Sequence, residues 1–284
     1  FTYIERDASA SLVTEVNAIG EPAIVFERQQ QRLYPQSELG AQVLGFLDVN
    51  NKGASGMERA LDLRLTSPDT AGKPVALSID ARAQSALENE LGQQVTTLKA
   101  KGGAGVVLDV RTGEIMALAS FPTFNPNNPG AAPKPAVTED GKQLPGPFFN
   151  RVTSAAYELG STFKPITMAA AIDSGTVTSM AKRFDATQPL QIDGFKIHDH
   201  DGEGRWLDIP ETLIHSSNIA TARIADEMGG DKLSAMFRSM GFDKPMPFEL
   251  PARGRTMFPQ KFSRVTTMTT GFGLFGCSSR TLRM

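Results

Sequence analysis

The sequence is poor in the residues that build covalently stapled or metal-held scaffolds. Its single cysteine, Cys277, excludes an internal disulfide and any cysteine-based metal cluster. Of three histidines, two fall in His198-Asp199-His200, which lacks the helical spacing of a zinc site and reads as a solvated loop rather than a ligand pair. No apolar run approaches the roughly 20 residues needed to span a bilayer, so the chain as it stands reads as soluble. It begins at Phe1, without a methionine or a basic stretch leading into an apolar one, which leaves room for a signal or anchor upstream. Neither sign of charge dominates: 29 Lys and Arg stand against 31 Asp and Glu, mixed along the chain, with a net charge of -2 and a pI near 6.0. No nucleic-acid partner is indicated.

What is present is enough apolar material for a sizeable core, 40% of a chain of 284 residues, which is longer than one usual domain. Two domains are expected, with a boundary near residue 73. Residues 1–72 hold short apolar runs broken by Gly and Pro, such as Ala23-Ile24-Val25-Phe26 and Val43-Leu44-Gly45-Phe46, and read as an irregular, extended region with little core. Val75 to Ile79 is predicted as a strand, and Asp80 as the N-cap of a helix through Leu91. Residues 105–110 and 115–120 are two apolar runs joined by Arg111-Thr112-Gly113-Glu114, a pattern that predicts a β-hairpin covered on both faces. Residues 122–149, rich in Pro, Asn and Gly, predict a long surface excursion. Thr162 to Ser174 predicts a buried helix, and Ile209 to Met228 two helices interrupted around Ser216-Ser217-Asn218. Strands before helices indicate an α+β or α/β domain.

The chemistry is concentrated in Glu158-Leu159-Gly160-Ser161-Thr162-Phe163-Lys164-Pro165. Gly160 permits a sharp entry, Ser161 opens the helix, and Pro165 is tolerated because first-turn amides have no intrahelical partner. A spacing of three puts Ser161 and Lys164 on one side of the helix, within reach of each other. A serine hydroxyl becomes nucleophilic when a neighbour takes its proton, and a lysine does so once burial or nearby positive charge lowers its pKa. The bland reading of the same spacing is an N-cap serine followed by a surface lysine. Ser216-Ser217-Asn218 is weak alone, since Ser and Asn often cap helices. In this order and with these flanks, the two elements together point to one cleft supplied with two hydroxyls, an amine and an amide.

Ser-x-x-Lys, Ser-x-Asn and Lys-Thr-Gly are the signature of penicillin-binding proteins and serine β-lactamases. The chain resembles a class B penicillin-binding protein of the cell-division (septal) type. The likeness runs from Arg32-Leu33-Tyr34-Pro35 and Gly53-Ala54-Ser55-Gly56-Met57-Glu58 through Leu77-Ser78-Ile79-Asp80, Asp109 to Ile115 and Ser120 to Pro126. It continues through Gly160 to Pro165, Ile197-His198-Asp199 and His215 to Ile219, as far as residue 273. The resemblance implies an α+β transpeptidase domain over 73–284 with a pedestal-like region over 1–72. It implies a peptidoglycan D,D-transpeptidase: Ser161 attacks the penultimate D-alanine carbonyl of a stem peptide, and Lys164 accepts the proton. Ser216 relays a proton to the leaving or incoming amine, and Asn218 holds the substrate backbone and helps keep Lys164 in place. β-Lactams acylate the same serine. The implied partners are D-Ala-D-Ala stem peptides, β-lactams and other cell-division proteins, with no cofactor or metal. The implied location is the periplasm, anchored to the inner membrane by an N-terminal segment outside this chain.

The sequence departs from the family at its end. No Lys-Thr-Gly or Lys-Ser-Gly follows Asn218, and after Thr269-Thr270-Gly271-Phe272-Gly273 the run from Leu274 to Met284 no longer fits the pattern, as a shifted reading frame or a truncation would produce. In the family that motif binds the substrate carboxylate and its strand helps form the oxyanion hole. Without it the hairpin of residues 105–120 is expected to show an unpaired edge and an uncovered apolar face, with little or no transpeptidation. The alternatives are a β-lactamase-like hydrolase and a non-catalytic β-lactam-binding or division scaffold.

Overall fold

The structure, a computed structural model, describes residues 2–6, 8–28, 31–70, 72–254 and 257–274. Cys277 and the tail from Phe275 onward lie outside the described residues. The helices are α1 (Ala10–Ile19), α2 (Ala41–Leu44), α3 (Gly56–Ala60), α4 (Asp62–Thr66), α5 (Ala81–Thr97) and α6 (Arg151–Ser154), then α7 (Lys164–Asp173), α8 (Ile209–Ile214), α9 (Asn218–Met228), α10 (Gly230–Ser239) and α11 (Arg264–Gly271). The strands are β1 (Gly103–Leu108), β2 (Ile115–Phe121), β3 (Phe184–Asp185), β4 (Leu190–Ile192), β5 (Phe195–Ile197) and β6 (Trp206–Leu207). They pair antiparallel as β1 with β2, β3 with β6 and β4 with β5, so the fold class is α+β.

Asp80 caps α5 as expected, its carboxylate accepting from the amides of Arg82 and Ala83. The helix runs on to Thr97 rather than stopping at Leu91. Its outer half lies tight over the hairpin because Gly103 and Gly105 leave room: a Cβ there would sit 2.7 Å from Val95 and 2.8 Å from Leu87. Residues 75–79 are not the predicted strand but extended coil beside β2. Ser78 Oγ bonds the Ile115 carbonyl and the Asp80 amide bonds that of Met116, so isolated contacts replace a ladder.

The hairpin forms with Gly103 opposite Phe121 and an irregularity between Val107 and Leu108. Coverage of both strands, as predicted, does not hold. β2 is buried from Ala117 to Ser120, whereas Val106, Val107 and Leu108 of β1 are exposed, and Val110 is 95% exposed. β2 lies under α5 and next to a small core of Val43, Leu118 and Leu250. Its free edge is closed by a side chain: the buried Gln84 amide donates to the Leu118 carbonyl at 2.7 Å and accepts from the Leu118 amide at 2.8 Å. No such partner covers β1 among the described residues.

The N-terminal region has few buried residues, and α1 has none. Residues 122–149 form the expected long surface excursion, buried only at Phe124, Pro126 and Pro147, and it is anchored to that region. Phe124 is buried against Phe46 and Phe148 at ring distances of 5.6 and 4.9 Å, and the Asn127 side chain bonds both the amide and the carbonyl of Tyr34.

The main core is formed by α7, α9, α10 and α11 with the small strands packed on them. Small residues set its spacing: Ala220, Ala222 and Ala225 of α9 are fully buried, and a Cβ on Gly271 of α11 would lie 2.6 Å from that of Ala225. This close-packed helical half carries the residues singled out in the sequence.

Candidate active site

Ser161 lies in a 3-10 turn, Gly160–Phe163, and Lys164 is the first residue of α7. The α-helix thus starts two residues later than predicted, with Pro165 in its first turn. Two contacts hold this turn. Phe163, buried, packs edge-on to Phe237 and against Phe242 at 5.1 and 5.0 Å. Behind it, the Gly160 amide bonds the Gly273 carbonyl at 3.1 Å, and a Cβ on Gly273 would stand 1.9 Å from the Gly160 oxygen, so only glycine fits. Thr167 adds a hydrogen bond to the Gly271 carbonyl at 2.6 Å. The segment ending at residue 273 therefore braces the nucleophile turn from within the core.

Ser216 sits where α8 gives way to α9. Asp208 and Glu211 form a capping box at the start of α8, and Ser217 caps α9 by accepting from the Ala220 amide. Between the helices the Ser217 amide bonds the Thr212 carbonyl and the Ser216 amide that of Leu213, the two bonds of a Schellman turn. The left-handed position of such a turn usually falls to glycine; here it is Ser216, at φ +50°. That conformation turns both polar groups of Ser216 toward the amine of Lys164.

The side chains meet in a continuous chain. Lys164 Nζ donates to the Ser216 carbonyl and to Ser216 Oγ, the latter at 3.0 Å, and Ser216 Oγ donates to Ser161 Oγ at 2.9 Å. Ser161 and Lys164 share a side of the helix as expected, but Ser216 hydrogen-bonds between them. Ser161 and Ser216 face solvent, while Lys164 is 1% exposed. Burial pushes the Lys164 amine down to about 8, against the opposing pull of the Asp199 carboxylate. An amine held there exchanges protons near neutral pH.

Asn218 differs from the expectation that it steadies Lys164. Its Nδ2 donates to the His198 carbonyl at 3.1 Å, and Ser216 supplies the hydrogen bonds to the amine. Of the His198-Asp199-His200 loop, both histidines are exposed, whereas Asp199 turns inward. One Asp199 oxygen accepts from the amides of Asn218 and Ile219 at 2.6 and 2.9 Å, the other from Ser217 Oγ at 2.7 Å. The sequence offers Asp199 only as part of His198-Asp199-His200, read as a solvated loop, and of a stretch of family likeness. Nothing in local pattern announces a carboxylate that anchors a helix it precedes by a loop, a strand and the whole of α8.

The family described as "Penicillin binding protein transpeptidase domain" matches residues 103–281. The chain is 39% identical over 257 residues to the probable peptidoglycan D,D-transpeptidase FtsI of Caulobacter vibrioides, covering 90% of this chain and 41% of that protein. It is 31% identical over 303 residues to the probable peptidoglycan D,D-transpeptidase PenA of Neisseria gonorrhoeae, covering 96% of this chain and 50% of that one. The chain thus spans half or less of the length of these relatives. Among solved structures, the penicillin G acyl-enzyme complex of penicillin-binding protein A from M. tuberculosis superposes with a TM-score of 0.69 at 26% identity, over 85% of this chain and 60% of that one. The α+β fold is that of penicillin-binding proteins and serine β-lactamases. With the transpeptidase family covering most of its length and FtsI and PenA among its relatives, this chain belongs to the class B penicillin-binding protein transpeptidases.

Proposed function

We propose that this chain carries the acyl-transfer site of a septal peptidoglycan D,D-transpeptidase, with Ser161 as nucleophile. Ser161 Oγ attacks the carbonyl carbon of the penultimate D-alanine of a stem pentapeptide, and its proton passes through Ser216 Oγ to the neutral Lys164 amine. The peptide C–N bond breaks, the same route returns a proton to the departing D-alanine nitrogen, and the serine is left as an ester. An amine of a neighbouring stem peptide then attacks that ester, and its proton restores the Ser161 hydroxyl. Asn218, at the start of α9 beside the two serines, holds the substrate backbone. A β-lactam enters as a D-Ala-D-Ala mimic and stops at the ester.

The observation that carries this reading is the unbroken Ser161–Ser216–Lys164 hydrogen-bond chain, ending on a buried amine held near 8. The wider assignment is also a proposal: a pedestal-like region over 1–72, a transpeptidase domain over 73–284, division-protein partners, and a periplasmic site tethered to the inner membrane. Among the described residues no helix is long and apolar enough to cross a membrane.

Two other readings of the same residues are a β-lactamase-like hydrolase and a binding module without turnover. Mass spectrometry of the chain after incubation with a penicillin separates the readings. The transpeptidase site predicts a lasting adduct on Ser161 that Ser161→Ala abolishes. Rapid turnover of the drug would make the chain a hydrolase, and no adduct after prolonged exposure would make it a scaffold.

A further inference from the structure

The third histidine of the chain stands apart from the loop pair: His215 closes α8 and directly precedes Ser216. Its ring is engaged on both nitrogens. Nδ1 stands 3.2 Å from a carboxylate oxygen of Glu203, and Nε2 lies 3.5 Å from a guanidinium nitrogen of Arg205. A guanidinium has only N–H groups to offer, so Nε2 meets it as a lone pair, and the single proton of the ring belongs on Nδ1, toward the carboxylate. Arg205 is itself fixed. It donates to Glu211 Oε1 at 2.7 Å and meets Glu203 at 3.5 Å, and the other Glu211 oxygen accepts from the Asp208 amide in the capping box of α8. The neutral ring thereby links this charged group to the residue just before the left-handed Ser216.

Resting on the reading of Ser161–Ser216–Lys164 as the reacting group, we propose that His215 is a positioning residue of this site that works only as the neutral imidazole with its proton on Nδ1: it holds the end of α8 against Arg205 and so keeps Ser216 on the Lys164 amine. A second proton, on Nε2, sets an N–H and a positive charge against the guanidinium. The side chain, 31% exposed, then turns out to water, and the constraint on Ser216 goes with it. The charges facing His215 are Glu203 and Arg205 of the loop and Glu211 one turn back on α8, with Lys164 of α7 across the turn and Asp199 beside Ser217. Charge alone acts the other way. A cation at His215 favours the neutral form of the Lys164 amine and so speeds acylation in acid, whereas loss of the Ser216 position slows it.

The first half of the test is 15N NMR of the full chain and needs no turnover. Above the His215 midpoint the ring is expected to carry its proton on Nδ1, and as the ring titrates the Ser216 and Ser217 amide resonances move with the same midpoint. A neutral ring with its proton on Nε2, or amides indifferent to the titration, overturns the proposal. The second half is acylation by a penicillin across the range in which histidine and lysine side chains titrate. It compares the parent chain with His215→Asn, whose side-chain amide can donate to Glu203 and does not titrate, each rate taken relative to its own value at the alkaline end. One pH unit below the His215 midpoint about nine rings in ten are protonated, so the relative rate of the parent is expected about tenfold below that of the variant. Relative rates within about twofold of each other, or a parent that is the faster of the two, as charge alone predicts, overturn the proposal. If His215→Asn does not fold, the NMR half decides alone. Absence of any adduct in the parent at every pH overturns the acid–base reading itself and the inference with it, and is seen before any variant is made.

Discussion

Lys164 is 1% exposed and bonded to a carbonyl and a hydroxyl, with no carboxylate among the described residues in an ion pair with it. Such an arrangement works against stability. With the folded value near 8 and the ordinary value at 10.5, the unfolded chain binds more protons throughout that interval. Stability therefore rises with pH between the two values, and the cost of the buried ammonium is felt in full below 8. The difference corresponds to about 3 kcal/mol at neutral pH. Lys164→Met is accordingly expected to raise the thermal midpoint at pH 7, with the gain shrinking to nothing as the pH rises to 10.5, while abolishing adduct formation on Ser161. Thermal unfolding across that range checks this; a variant less stable than the parent at pH 7 would show that the amine is a structural asset. The Ser-x-x-Lys spacing was legible in the sequence because it follows from helical geometry. That Ser216 would lie between the two residues was not, because it depends on a left-handed backbone at a serine.

At the scale of elements, side chains repeatedly do the work of missing backbone partners. Gln84 of α5 pairs with both polar groups of Leu118 as a neighbouring strand would, and Gly273 lets a loop backbone reach the nucleophile turn. Gln84→Ala leaves a buried amide and carbonyl of β2 without partners, a loss of about 2–4 kcal/mol, and is expected to lower the urea midpoint while leaving the Ser161–Ser216–Lys164 contacts intact. An unchanged midpoint would mean that water or a rearranged strand replaces the amide. Sequence reasoning recovered the elements that local chemistry dictates: the Asp80 cap, the hairpin around Gly113, and the break between α8 and α9. It misplaced Val75 to Ile79, whose β-pattern was overridden when residues 78–80 met β2 through single contacts. It also ended α5 too early, because the glycines that let the helix continue over the hairpin belong to a different element.

For the molecule as a whole, the reacting group is built on the well-packed helical half, and the hairpin half carries a smaller core. β1 shows Val106, Val107 and Leu108 to solvent. The order of motifs made the family legible along most of the chain. The three-way contact of Asp199 and the bracing by residues 271–273 became visible only in three dimensions, since each joins residues far apart in sequence. Acyl transfer at this site requires a buried amine that is neutral when it takes a proton from Ser161 by way of Ser216. Its most direct test is the pH dependence of Ser161 acylation by a penicillin, followed by mass spectrometry of the whole chain. The predicted rate climbs with pH and is half-maximal near 8, with no adduct in Lys164→Met. A rate indifferent to pH between 6 and 10, or an adduct that survives the loss of the amine, would contradict it.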